Sequence, residues 1–143
     1  MKLDEILDLW EIDSHVDRTE LGNEALKIPK LHHKYYKIFV QERVILKKME
    51  LDLKQLKLKK FEFYSQGPDS ETPTHWKLPP IGKVIKADVL QYVDTDPDTI
   101  VMTLKFGVQS EKAELLESII KSLSNRGYQI SSAIQWEKFK IGA

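Results

Sequence analysis

The chain has 143 residues, a length for one domain or two small packed lobes, and it carries 22 basic against 22 acidic side chains. A neutral total argues against a generic basic coat for nucleic acid, and the absence of cysteine excludes disulfides and thiolate metal sites. No apolar run approaches the ~20 residues of a membrane span, and the start Met-Lys-Leu-Asp-Glu has no apolar signal core, so a soluble intracellular protein is expected.

In chain order, Leu3, Ile6, Leu7 and Trp10 fall on one helical stripe. Asp17 followed by Glu20 reads as a capping box that opens a second short helix carrying Leu21, Ala25 and Ile28. Pro29 then fits the first turn of a new helix, where its missing N–H costs nothing. From Lys30 to Gln66 there is neither glycine nor proline, and good helix formers dominate. Leu31, Tyr35, Ile38, Ile45, Met49, Leu53 and Leu56 recur at spacings of three, four or seven, which predicts one long helix. The alternation Leu51, Leu53, Leu56, Leu58, Phe61, Phe63 competes as a strand pattern, but β-branched residues are missing there. Pro68, Pro73, Pro79 and Pro80 mark residues 67–82 as a loop. Residues 83–106 are ambiguous. Ile100–Phe106 has strand-like composition, giving a short strand pair as one alternative, while Asp96-Pro97-Asp98 can cap a helix.

Ser110 reads as the N-cap of a helix striped by Leu115, Leu116, Ile119, Ile120 and Leu123 and ended by Gly127. In the last segment, at ~100° per residue, Ile130, Ala133 and Ile134 share one face while Tyr128, Trp136 and Phe139 take the opposite one. A helix apolar on two faces is buried on two sides. Contact with another subunit and burial within the same chain are equal alternatives. The subunit reading gives Tyr128, Ile130, Ile134, Trp136 and Phe139 as a candidate oligomer interface. The fold class is therefore mainly α: a long basic helix, flanking short helices and a C-terminal helical region. The divisions expected are 1–66, a linker at 67–82, and 83–143.

The charge is unevenly placed. Between Lys30 and Tyr64 lie ten basic and four acidic residues, net +6, and the rest of the chain is net −6. The densest cluster, Lys54, Lys57, Lys59 and Lys60, runs straight into Phe61, Phe63 and Tyr64. Ammonium groups neutralise phosphates and release counterions, and aromatic rings stack on unpaired bases. Lys30, Lys34 and Lys37 share a helical face and form a second patch. The competing readings are a merely solvated helix with its aromatics in a core, a partner-helix surface, or an anionic membrane surface.

Catalytic patterns are missing. There is no Gly-x-x-x-x-Gly-Lys-[Ser/Thr] loop and no Gly-x-Gly-x-x-Gly. His32 and His33 point about 100° apart on a helix and make a poor metal pair. Asp13, His15 and Asp17 suit capping and turns better than a metal. Asp94, Asp96 and Asp98 imitate the start of a calcium loop, but Thr99 stands where glycine is required and Lys105 where glutamate is required. Ser131 and Ser132 have no evident base partner. The chain reads as non-catalytic, with no cofactor and no metal.

Several segments resemble the UvsY family of T4-type bacteriophages. They are Ile12-Asp13 through Asp17-Arg18-Thr19-Glu20-Leu21, Ile28-Pro29-Lys30-Leu31-His32-His33-Lys34-Tyr35, Lys60-Phe61-Glu62-Phe63-Tyr64-Ser65, and Ser124-Asn125-Arg126-Gly127 onward to Gly142, passing Trp136-Glu137-Lys138-Phe139. The resemblance thins at 66–82 and 94–106. It implies a recombination mediator that binds single-stranded DNA and promotes loading of a RecA-like recombinase in place of the single-strand-binding protein. It also implies a largely helical homo-oligomer, a hexamer or heptamer ring, that hydrolyses no nucleotide and acts in the cytoplasm of the infected host. Lys54, Lys57, Lys59, Lys60, Tyr64, Lys30, Lys34 and Lys37 are the expected DNA contacts. A non-catalytic helical scaffold, a small metal-dependent nuclease and a membrane-surface binder are the other classes, separated by salt-sensitive DNA affinity, metal-dependent activity and vesicle binding.

Overall fold

The structure, a computed structural model, describes residues 1–142. Its helices are α1 (Leu3–Asp13), α2 (Leu21–Gln66), α3 (Val89–Thr95), preceded by a 3-10 turn at Lys86–Asp88, and α4 (Pro97–Lys140). No strand occurs among the described residues. The chain falls into two compact units. One is Met1–Ile45 together with the chain from Val108 onward; the other is Leu46–Gly107.

In the first unit, Ile6, Tyr35, Leu116, Ile119 and Leu123 are buried together, with Leu9, Trp10, Leu31 and Ile38 packed around them. The α1 stripe is shifted from the expected one, since Leu7 is exposed and Leu9 packs inward. Asp13 ties α1 to α2: its carboxylate accepts from Lys34 Nζ and from Tyr35 Oη, both at 2.7 Å. Arg126 of α4 donates to the Asp13 carbonyl at 3.0 Å, satisfying an acceptor that the end of α1 leaves open. Burial pushes the Asp13 carboxyl up, but the hydrogen bonds from Lys34 and Tyr35 and the charges of Lys34 and Arg126 outweigh it and hold the group below its ordinary pKa. Buried Glu42 accepts from Gln109 Nε2 through its side chain at 2.6 Å and through its carbonyl at 2.8 Å.

In the second unit, Phe63 and Tyr64 of α2 pack with Val84, Val89 and Val93, and Trp76 and Leu78 of the 67–82 loop close over them. Gly67 ends α2 in the left-handed region at φ +87°, and its N–H donates to the Phe63 carbonyl at 2.9 Å.

Several local expectations are corrected. Asp17 does not cap a helix. It closes an Asx turn on Thr19 N–H at 2.9 Å, and α2 begins at Leu21 with Glu24 N–H bonded to the Glu20 carbonyl. Pro29 lies inside α2 and on an exposed position, so the helix continues past it and only one backbone donor is lost. The strand alternatives at 51–63 and 83–106 fail, as does Ser110 as a start. Asp96 caps α4, with its Oδ1 accepting from Asp98 N–H at 2.9 Å, and Pro97 fills the first turn. The β-branched residues at 99–101 then join a helix already started, where Thr99 is buried. Gly127 does not end that helix. A mid-helix glycine costs only about 1 kcal/mol, and the buried Leu123, Arg126 and Ile130 around it hold the turn.

Candidate nucleic-acid interface

The four-lysine cluster does not act as one patch, because a helix turns ~100° per residue. Lys60 points inward. Its side chain is 2% exposed, and its Nζ lies 3.0 Å from Asp96 Oδ1, 2.9 Å from Asp98 Oδ2 and 3.7 Å from the centre of the Trp76 ring. Tyr64, one turn on, is also buried and donates its hydroxyl to Asp96 at 2.6 Å. Burial, then that hydrogen bond, pushes the Tyr64 phenol well above its ordinary pKa. Asp98 is held below its ordinary value first by the Lys60 hydrogen bond, and it also meets His75 Nε2 at 3.0 Å. The network fastens the 67–82 loop and the start of α4 to α2. Lys60 and Tyr64 therefore serve the core of this unit and offer no surface to a strand.

Lys57 is turned toward Asp94, 3.5 Å away. Lys54 stays out in solvent, loosely opposite Glu50 at 3.6 Å with 71% of its side chain exposed. Lys59 is exposed and has no ion-pair partner among the described residues. Two lysines outside the dense cluster belong with these. Lys47 and Lys48 are exposed on the same stretch of α2. Seven residues separate Lys47 from Lys54 and eleven separate Lys48 from Lys59, so each pair forms a row to within about 20° of turn. Between the rows stand Leu51 and Leu58, each 60% exposed. The result is one face of α2 with an apolar centre line and a row of ammonium groups on either side.

The second patch is in the other unit. Lys30 and Lys37 are exposed, while Lys34 is committed to Asp13 at 2.7 Å and lies over the Tyr35 ring. His32 stacks on Tyr36 at 5.9 Å. Of the candidate subunit contacts, Ile130 is buried within the chain and Ile134 is half-buried. Tyr128, Trp136 and Phe139 are 78%, 56% and 72% exposed, and the Trp136 and Phe139 rings stack at 5.5 Å. Among the described residues no group of histidines and carboxylates could hold a metal ion. No described helix is long and apolar enough to cross a membrane.

The signal for Lys47 and Lys48 was already present in the sequence. It lies in helical spacing from Lys54 and Lys59, which local charge density conceals. The inward role of Lys60 was legible in the same way, since it shares a stripe with Leu53, Leu56, Phe63 and Tyr64.

Residues 9–143 match the sequence profile of a family described as UvsY, a recombination, repair and ssDNA-binding protein. No curated protein sequence matches the chain. Among solved structures, the crystal structure of the bacteriophage T4 recombination mediator protein UvsY in lattice type II is similar at 16% identity. That match covers 99% of this chain and 98% of that one, with a TM-score of 0.85. The lattice type IV structure gives 16% identity, coverages of 98% and 99%, and a TM-score of 0.79. The lattice type I structure gives 15%, coverages of 95% and 98%, and 0.81. At such identities the likeness to these crystals speaks for the fold alone.

Proposed function

The chain belongs to the UvsY family of recombination, repair and single-stranded-DNA-binding proteins, and from that premise we propose that it is a non-catalytic recombination mediator whose α2 face grips single-stranded DNA. The observation that carries the site is the pair of lysine rows, Lys47 with Lys54 and Lys48 with Lys59, flanking exposed Leu51 and Leu58. Ammonium groups in two rows neutralise successive phosphates, and the leucines give sugars and base edges a surface to cover. Lys57 contributes when Asp94 releases it, and Lys30 and Lys37 add a second point of contact. The protein loads a RecA-like recombinase onto the strand in place of the single-strand-binding protein, in the cytoplasm of an infected bacterial host.

A single subunit with so few phosphate contacts holds DNA weakly. Repetition around a closed ring of six or seven copies raises the effective concentration of the site. The stacked Trp136 and Phe139 with Tyr128 support a subunit contact at the end of α4, since large exposed aromatics in water are stabilised by cover. In this reading residues 1–66 carry most of the DNA contact, 67–82 connect, and 83–143 assemble the ring.

The test pairs light-scattering mass with fluorescence anisotropy on single- and double-stranded oligonucleotides across a salt series. A closed oligomer that prefers single strands, with affinity falling as salt rises, is expected. A protein without salt-dependent DNA affinity would leave the helical scaffold as its function.

A further inference from the structure

The second unit contains an open cavity of about 460 Å³ beside the lysine rows. It lies along one stripe of α2, where Asp52, Gln55, Lys59, Glu62 and Gln66 recur at spacings of three and four. Across from them stand Trp76 of the loop and Met102 of α4. Phe63 lies at its apolar base and meets the Trp76 ring edge-on at 5.5 Å. Lys59 belongs both to the exposed face and to the mouth of this cavity. A strand that follows the ammonium groups from Lys54 to Lys59 therefore passes its opening.

We propose that this cavity receives a nucleobase of the bound strand, and that it prefers bases carrying an exocyclic amino group over thymine. The proposal rests on the single-strand reading above. Its volume is within the roughly 300–1,000 Å³ of small-molecule sites, and it joins an apolar base to a strongly polar mouth, where Asp69 and Glu71 of the loop add to the carboxylates of α2. The charge of the mouth sets the orientation. Asp52 and Glu62 are exposed and have no ion-pair partner among the described residues, so they repel phosphate. The backbone stays on the lysines and the base turns inward. The same carboxylates accept hydrogen bonds, as acidic side chains do from the amino group of cytosine. Thymine offers those carboxylates one ring N–H flanked by two repelling carbonyl oxygens, a poorer donor than an exocyclic amino group. The Gln55 and Gln66 amides can donate to the remaining ring acceptors.

The experiment measures the affinity of short oligo(dC) and oligo(dT) of equal length at mildly alkaline pH and fixed salt. Wild type is compared with the double variant Asp52→Asn, Glu62→Gln. Both positions are exposed, so the fold tolerates the change. Wild type should bind oligo(dC) at least about fivefold more tightly, the lower end of discrimination by a base contact. The double variant should lose that preference while binding oligo(dT) as well as or better than wild type. Equal affinities in wild type, or a preference that survives in the double variant, would overturn the base site while leaving strand binding intact. Failure of both oligonucleotides to bind with salt-sensitive affinity would overturn the single-strand reading itself. Capture of a lysine- and arginine-rich peptide by wild type alone, with dC and dT bound alike, would give the cavity to a basic protein segment instead.

Discussion

Adjacent lysines on α2 should respond oppositely to the same change. Lys60→Ala removes a cation whose side chain is 2% exposed and leaves Asp96, 6% exposed, without its counter-charge. Breaking a buried pair costs about 3–5 kcal/mol. The lower part of that range applies here, because Asp98 is 38% exposed and recovers hydration. Asp96 also keeps its hydrogen bonds from Tyr64 Oη and Asp98 N–H. Loss of the contact with Trp76, 3.7 Å from Nζ, adds up to about 1 kcal/mol. A loss of roughly 3–4 kcal/mol is large against total stabilities of about 5–15 kcal/mol. Lys59→Ala, at an exposed residue with no ion-pair partner among the described residues, should change stability by less than about 0.5 kcal/mol. Urea unfolding followed by circular dichroism reads the difference as a lower midpoint for Lys60→Ala at unchanged slope, by about 1–2 M for a typical urea m-value. DNA binding reads the reverse. Lys59→Ala should flatten the salt dependence by about 0.7 in the log–log slope, and Lys60→Ala, measured where it remains folded, should not. It follows that changing Lys57, Lys59 and Lys60 together confounds affinity with folding. An unchanged midpoint for Lys60→Ala combined with a flattened salt slope would refute the inward assignment.

Gly107 and Gly127 lie inside α4 with no atom within 4 Å of an added Cβ. Each glycine-to-alanine change should stabilise the chain by about 0.5–1 kcal/mol, and at this separation the two gains should add in thermal unfolding. The lowered pKa of Asp13 stabilises the native state in full above the ordinary aspartate pKa of about 4 and is lost as pH falls through the still lower folded value. Acid titration of stability should therefore lose part of its slope below about pH 5 in Asp13→Asn. The double variant Trp136→Ser, Phe139→Ser should lower the mass seen by light scattering while leaving helix content unchanged, since both side chains are exposed in the subunit. Unchanged mass would place the subunit contact elsewhere.

The helices were legible wherever apolar spacing and helix-forming composition agreed. The 30–66 stretch lies in one helix because good helix formers, with no glycine or proline, outweigh the strand-like alternation at 51–63, and the Leu116, Ile119, Leu123 stripe packs as its spacing demands. Punctuation was less dependable. Pro29, Ser110 and Gly127 each resemble a boundary, yet all three lie within helices. A local cost of about 1 kcal/mol for glycine, or ~3 for proline, is set against side chains buried on either side. The strand-like run Ile100–Phe106 became helical because the Asp96-Pro97 cap fixes the first turn, and no partner strand exists nearby among the described residues. The candidate site was half visible. The lysine-rich segment stands out in composition, but the difference between a phosphate ligand and a core cation depends on which residues lie one turn away. The cavity was out of reach of local reasoning, since Trp76 and Met102 come to α2 from distant parts of the chain.

The lysine rows also set a scale by which the strand can be counted. Lys47, Lys48, Lys54 and Lys59 are exposed on one face of one unit, so a subunit acting alone makes four phosphate contacts there while Lys57 stays with Asp94. At about −0.7 per contact on single strands, its log–log salt slope is about −3. Lys30 and Lys37, if they meet the same strand, bring it to about −4. A slope near −6 or steeper exceeds what these lysines supply and is the slope expected when one strand lies across at least two subunits. The measurement uses one oligonucleotide long enough to reach neighbouring subunits and one too short to do so. If the ring works by shared grip, the long strand should show a slope about twice that of the short one, and Lys59→Ala should remove more than one contact from it. Equal slopes for the two lengths would mean that each subunit holds DNA independently, and the effective-concentration argument for the ring would fail.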